Sequence, residues 1–192
     1  MINQIQKLRQ LTGAGVLDCK KALEEANLNI EQAVEILRKA GIKVAQLKQD
    51  RQTSEGFIGS YIHSNGKVAA LIELKCETDF VAKNQEFKDL ARDLAMQITA
   101  MSPLYVSPQD VTEAVKAKEK EIASTSLKLE GKPAAVLEKI LDGKLNKFYE
   151  EVCLLKQKFI KEDKKTIEEI IMAKIQKLGE KIEVGRFVRL AL

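Results

Sequence analysis

The chain has no tryptophan, one histidine, three prolines and three cysteines among its 192 residues, and only 5% of it is aromatic. Each scarcity excludes something. The single histidine, His63, falls beside a turn signal with no candidate nucleophile pattern around it. It therefore reads as a hairpin residue rather than a general base. Cys19, Cys76 and Cys153 are odd in number and widely spaced. That argues for a reducing compartment and against a disulfide framework or a zinc site, with a thiol link between two chains as the lesser alternative. No apolar run approaches the length of a membrane span, so a soluble protein with no membrane partner is expected. The opening residues MINQIQKLRQ lack both the apolar stretch of a secretory signal and the Arg/Ser bias of a transit peptide, which predicts a protein working in the compartment where it is made. Phosphate-holding loops of the GxxxxGK[ST] or GxGxxG kind are missing. These absences leave no convincing enzyme: no catalytic residues, no cofactor and no metal ligands are expected.

What is present is 45% hydrophobic and 31% charged residues, enough for one ordinary domain, or a core with a small satellite module. The net charge of +4 comes from 32 basic and 28 acidic residues that are interspersed. A nucleic-acid binder concentrates its positive charge. Mixed signs describe solvated helix faces, so no direct nucleic-acid partner is expected.

Along the chain, Ile2, Ile5 and Leu8 fall on one helical face with Leu11 close by, and TGAG at 12–15 interrupts the pattern. A second helix, VLDCKKALEEA, sets Cys19, Ala22, Leu23 and Ala26 on one side. Asn29, with Gln32 three residues on, caps a third helix in which Ile30, Ala33, Val34 and Leu37 repeat at helical spacing, and Gly41 is placed as its C-terminal glycine. Three helices with narrow apolar faces make a docking module over residues 1–41. Residues 42–55 are polar and read as a partly helical linker. The period then changes: GFIGSYIH and KVAALIELKC are β-rich runs joined by Ser64-Asn65-Gly66. A long helix is predicted from Phe80 to Met101, with Phe87, Leu90, Leu94 and Ile98 as its stripe and Pro103 ending it. Ser107 to Asp110 opens another helix through a capping box, and PAAVLEKILDGKLNKFYEEV reads as helical with a break at Gly143. Thr166 and Glu169 open TIEEIIMAKIQKL, Gly179 closes it, and KIEVGRFVRLAL is a last strand. The fold class predicted is α+β: a three-helix, ubiquitin-associated-like bundle, then over 56–192 an antiparallel sheet with helices on one side.

One stretch stands out, CETDFVAKN at 76–84. A strand stops at Cys76 and a helix starts at Thr78 or Asp79, so Phe80 occupies a helix N-terminus, where short polar side chains are usual. Glu77 and Asp79 favour the positive end of the helix dipole and cap its free N–H groups, in preference to metal or acid–base work. The ring is either a hydrophobic staple, the ordinary fate of a large apolar side chain, or is presented to something else.

Two long segments carry a resemblance. LRQLTGAGVLDCKKALEEANLNIEQAVEILRKAG at 8–41 resembles the N-terminal module of the elongation factor Ts family, and EGFIGSYIHSNGKVAALIELKCETDFVAKNQEF at 55–87 resembles its core, with the TDFVAKN signature. AMQITAMSP at 95–103 and KIQKLGEKIEVGRFVRL at 174–190 match in order. The compact length and single core half resemble the short form of the family rather than the long form with a duplicated core and a coiled-coil insertion. Three positions depart from its pattern: Lys158 in place of a usual proline, Gly185 in place of a basic residue before Arg186, and Lys75 in place of asparagine before Cys76.

The resemblance implies a guanine-nucleotide exchange factor for elongation factor Tu, binding its GDP-bound and nucleotide-free forms. It implies docking on the GTP-binding domain of Tu through Arg9, Val16 and Leu17. It also implies that Thr78, Asp79, Phe80 and Val81 disturb the magnesium site of Tu. A homodimer is implied as well, because a half core leaves a sheet edge and apolar surface to be covered; Cys153 is the first candidate for a link between copies. A bacterial cytoplasm or a plastid stroma would suit such a chain. Two rivals of other classes stay open. A lysine-rich RNA- or ribosome-binding protein rests only on a pI near 8.8; a ubiquitin-associated-type adaptor leaves residues 55–192 without a role.

Overall fold

The computed structural model describes residues 1–128 and 134–192, with side chains over 1–124 and 139–192. They form α1 (Ile2–Thr12), α2 (Val16–Glu25), α3 (Ile30–Leu47), β1 (Glu55–Ile62), β2 (Val68–Cys76), α4 (Asp79–Lys83), α5 (Gln85–Met101), α6 (Glu113–Lys128), α7 (Ala134–Val152), β3 (Lys158–Phe159), β4 (Glu162–Thr166), α8 (Ile167–Leu178) and β5 (Ile182–Ala191). The mixture of helices with a small sheet is the α+β class that the change of period predicts. The chain groups into two compact units, one of residues 1–59, 72–92 and 168–185, the other of 60–71, 93–167 and 186–192.

In the first unit, α1, α2 and α3 close over a core of Leu8, Ala14, Cys19, Ala22, Leu23, Ala26, Ala33 and Leu37. Asn29 caps α3 as its side-chain chemistry predicts, its Oδ1 accepting the Gln32 N–H at 3.1 Å. Two expectations fail here. Ile2 and Leu11 face solvent, so the inward stripe of α1 is narrower than its spacing predicts. Gly41 does not end α3: the helix runs on to Leu47, and a Cβ at Gly41 would come within 2.9 Å of Gln176 Oε1. The glycine is there for close approach to α8, a cause no local pattern reveals.

The strands of the larger sheet are ordered β1–β2–β5. The hairpin forms at Ser64-Asn65-Gly66, with Asn65 Oδ1 accepting the Lys67 N–H. Leu192 donates its N–H to the Lys67 carbonyl at 3.0 Å, so the end of β5 lies beside the start of β2 and the two run antiparallel. On β2, Ala70, Ile72, Leu74 and Cys76 are buried and Leu71 is exposed, the alternation of a sheet with one covered face. Helix α5 approaches that face closely: a Cβ on Gly59 of β1 would stand 2.6 Å from the Ala91 carbonyl oxygen.

The long helix predicted from Phe80 is instead α4 and α5, split at Asn84. Asn84 has extended backbone (φ −64°, ψ 134°), and its Oδ1 accepts the Glu86 N–H at 2.8 Å. A side chain that caps a new helix outcompetes continuation of the old one. The predicted stripe of α5 is correct: Phe87, Leu90, Leu94 and Ile98 are buried.

In the second unit the Ser107 capping box is present, with Asp110 Oδ2 accepting from the Ser107 N–H and hydroxyl, but it opens only one 3-10 turn, Pro108–Asp110. The helix proper starts at Glu113. Helix α7 passes Gly143 without the predicted break, while Pro133 lies outside the described residues. Helices α6 and α7 pack against one another, in the two stretches whose sequence reads as helical. Residues 158–166 form the small antiparallel pair β3–β4, unforeseen in the sequence. Gln97 and Gln157, both buried, fix this region: Gln97 Nε2 donates to Gln157 Oε1 (3.2 Å) and to the Lys158 carbonyl (3.0 Å), and Gln97 Oε1 accepts the Ile160 N–H (2.9 Å). The backbone at Lys158 is thus held by a glutamine while its side chain points outward. Among the described residues no helix is long and apolar enough to cross a membrane.

Candidate functional site

The corner between β2 and α4 follows from three local facts. Cys76 ends the strand fully buried, Thr78 turns the chain with extended backbone (φ −127°, ψ 158°), and α4 lasts only five residues. Of those five, Val81 and Ala82 point inward. Phe80, immediately before them, is 83% exposed. Among the described residues no other large apolar side chain apart from the terminal Leu192 is so open to solvent. A staple would be covered, so the ring is not one. It forgoes the roughly 1.5–3 kcal/mol that burying such a side chain contributes.

The acids around it are arranged differently from the expectation. Glu77 does not cap α4. Its Oε1 accepts the Lys181 N–H at 2.6 Å, and Arg51 donates to both of its oxygens at 3.2–3.3 Å. The Lys181 N–H is the main reason the Glu77 carboxyl is held below the usual carboxylate range; burial opposes it and Arg51 reinforces it. Thr78 stands at the N-cap, but its hydroxyl donates to Glu180 Oε1 at 2.6 Å instead of serving the helix. Asp79 is the first helical residue and pairs with Lys83 one turn on, at 2.6 Å. That hydrogen bond lowers the Asp79 carboxyl, burial works against it, and the Lys83 charge and the Phe80 N–H add to it. The pair lies at the surface, where such bridges contribute little.

Glu180, Arg51 and Lys181 were not singled out in the sequence. Nothing local could have revealed them, because the partners of Glu180 are 102 and 103 positions away.

The second group of site residues flanks the turn at Gly13–Gly15 in the same unit. Arg9 lies in the last turn of α1, and Val16 and Leu17 open α2 with 50% and 71% of their surface exposed. Leu11 adds a further exposed apolar side chain near this turn. All three cysteines are free and buried. Cys153, the candidate for a link between copies, has no exposed surface, and burial raises its thiol to about 11, so a crosslink there requires local opening. Among the described residues no cluster of three or more His, Cys, Asp or Glu could hold a metal.

The family model described as Elongation factor TS matches residues 2–192. The chain is 55% identical to an elongation factor Ts of Pseudothermotoga lettingae over 188 residues, covering 98% of this chain and 95% of that protein. It is 53% identical to one of Thermosipho melanesiensis over 185 residues (96% and 94%), and 51% identical to one of Maridesulfovibrio salexigens over 188 residues (98% and 91%). Similarity of this degree leaves no segment of the described fold outside the match, and the chain belongs to the elongation factor Ts family of translation elongation factors.

Proposed function

We infer that the protein binds elongation factor Tu in its GDP form and promotes release of GDP, with Phe80 as the inserted group. The observation that carries this reading is the ring's exposure of 83% at the start of a helix whose next two residues are buried. Val81 and Ala82 anchor the short helix, and Thr78 and Asp79 set its entry. Val81 then acts from inside, by holding the turn. Arg9, Val16 and Leu17 are the docking residues, and helices α1–α3 are the module that carries them.

The physical logic requires no acid, base, cofactor or metal in this chain. A bound nucleoside diphosphate is held largely through its phosphates and their magnesium, by charge-assisted bonds in a pre-organised pocket. A ring pushed between the side chains that support such a pocket disturbs it without touching the nucleotide. Linkage then requires that a factor binding nucleotide-free Tu more tightly weakens GDP binding by the same ratio. GTP rebinds once GDP has left.

A homodimer working with two copies of Tu belongs to the same reading. Ile62, Leu71, Val188 and Leu190 of the second unit are exposed apolar residues on strands of one sheet, an uncovered face that a second copy would bury. Light scattering that returns a monomer, alone and with Tu, would remove the dimer. The matching relatives are bacterial, which favours a bacterial cytoplasm over a plastid stroma.

The test is the release of a fluorescent GDP from Tu, timed over a range of factor concentrations. Phe80→Ala should lower the maximal rate sharply and leave the half-saturating concentration close to that of the parent, since docking residues remain. A parent-like maximal rate from a folded Phe80→Ala protein would overturn the reading.

A further inference from the structure

Helix α4 has five residues, too few to hold a direction by its own hydrogen bonds. Its C-terminal side is fixed by the burial of Val81 and Ala82 and by Asn84. What fixes its N-terminal side is a pair of carboxylates from distant parts of the chain. Glu180 Oε2 accepts the N–H groups of Glu77 (3.2 Å) and Thr78 (3.0 Å), while its Oε1 accepts the Thr78 hydroxyl (2.6 Å). In return Glu77 accepts the Lys181 N–H. Each of two backbone stretches, 77–78 and 180–181, is thereby capped by the other's side chain. Gly179, in the left-handed region at φ +77°, ends α8 and turns Glu180 toward the corner.

The same clasp takes in the segment that leaves α3. Arg51 donates to Glu77, Lys48 Nζ donates to the Gly179 carbonyl, and Lys181 Nζ donates to the Arg51 carbonyl at 3.1 Å. The end of the N-terminal helices and the base of the exposed ring therefore share one set of hydrogen bonds.

We propose that Glu180 is the positioning residue for Phe80, and that the Glu77–Glu180 clasp fixes the ring at a set angle to the N-terminal helices so that docking and insertion occur together. This rests on Phe80 being the inserted group. Charge-assisted bonds to backbone N–H groups suit the task because they are directional and strong, whereas the ring, 83% exposed, supplies little restraint of its own.

Release of a fluorescent GDP from Tu, measured against factor concentration, separates the two claims. Glu180→Ala should lower the maximal rate about tenfold, which corresponds to about 1.4 kcal/mol, with the half-saturating concentration within about twofold of the parent. Glu180→Gln should recover much of the rate, because an amide oxygen can accept both N–H groups and its NH2 can donate to the Thr78 hydroxyl, keeping the geometry without the charge. The double variant Phe80→Ala/Glu180→Ala should be no slower than Phe80→Ala alone. Independently of Tu, the chain has no tryptophan, so Phe80→Trp provides a single indole that can be excited selectively over the three tyrosines. Its time-resolved anisotropy should show wider local motion once Glu180→Ala is added. If Glu180→Ala unfolds, Thr78→Val removes one bond of the same clasp and takes its place. A parent-like rate for the alanine variant, losses that multiply in the double variant, or no recovery with glutamine would each overturn the positioning role while leaving the inserted ring intact. A normal rate for Phe80→Ala alone would instead remove the inserted ring, and the positioning role with it.

Discussion

The N-terminal helices and the Cys76–Asn84 corner both turn apolar side chains to solvent, but different forces hold them there. Val16 and Leu17 are carried by a bundle whose inner faces meet in a core of Leu8, Cys19, Leu23 and Leu37. Phe80 is carried by a helix with two buried residues and a set of carboxylate-to-backbone hydrogen bonds. Apolar packing is non-directional, so a packed module keeps its surface in place over a range of core substitutions. A hydrogen-bonded corner sets an angle more sharply, and it fails when one partner is removed, because the group left behind has lost its match.

The sharpest contrast is between two phenylalanines seven residues apart in sequence. Phe87→Ala, at a fully buried position, should destabilise the fold by about 3–5 kcal/mol. Phe80→Ala should stay within about 0.5 kcal/mol of the parent, as surface substitutions do. Denaturant unfolding of the two proteins measures both, and a loss at Phe80 as large as that at Phe87 would erase the distinction. Next in size, Leu23→Ala should cost the N-terminal bundle about 2–5 kcal/mol. Hydrogen exchange should show the loss concentrated in α1–α3; protection lost evenly along the chain would mean that the bundle is not held by its own core.

Gly59→Ala should be less costly, about 1–3 kcal/mol, because the new methyl group meets the Ala91 backbone, which cannot rotate away. Unchanged thermal stability would mean that the strand and α5 can separate at little cost. The smallest effect is that of pH at the corner. Glu77 is held below the ordinary range in the folded chain, so its contribution is fully present above the unfolded carboxyl value of about 4.3. It is lost as pH falls through the lower, folded value. The stability difference between the parent and Glu77→Gln should therefore be constant near neutrality and shrink toward zero in acid. A difference that grows on acidification would have the wrong sign for this arrangement.

Much of the fold is legible along the chain because the causes are local. The faces of α2 and α3, the Asn29 cap, the hairpin at Asn65-Gly66, the stripe of α5 and the last strand each depend on residues within a turn or two. The misreadings share the opposite cause. Gly41 reads as a helix end until Gln176 is beside it, and Lys158 has no visible partner until Gln97 reaches its carbonyl. The split at Asn84 was decided by a competing cap, which spacing alone does not weigh.

The candidate site divides along the same line. The sequence by itself determined that a strand ends at Cys76, that a helix begins directly after it, and that a phenylalanine stands at its start. Those are consequences of periodicity and capping chemistry among adjacent residues. Only the tertiary structure decided that the ring is exposed, that Val81 is buried, and that Glu77 and Thr78 serve a partner about a hundred positions away in place of their own helix. The physical reason is that burial and ion pairing depend on which segments meet in space, and a carboxylate such as Glu180 looks like any other surface acid until two backbone N–H groups are aimed at it.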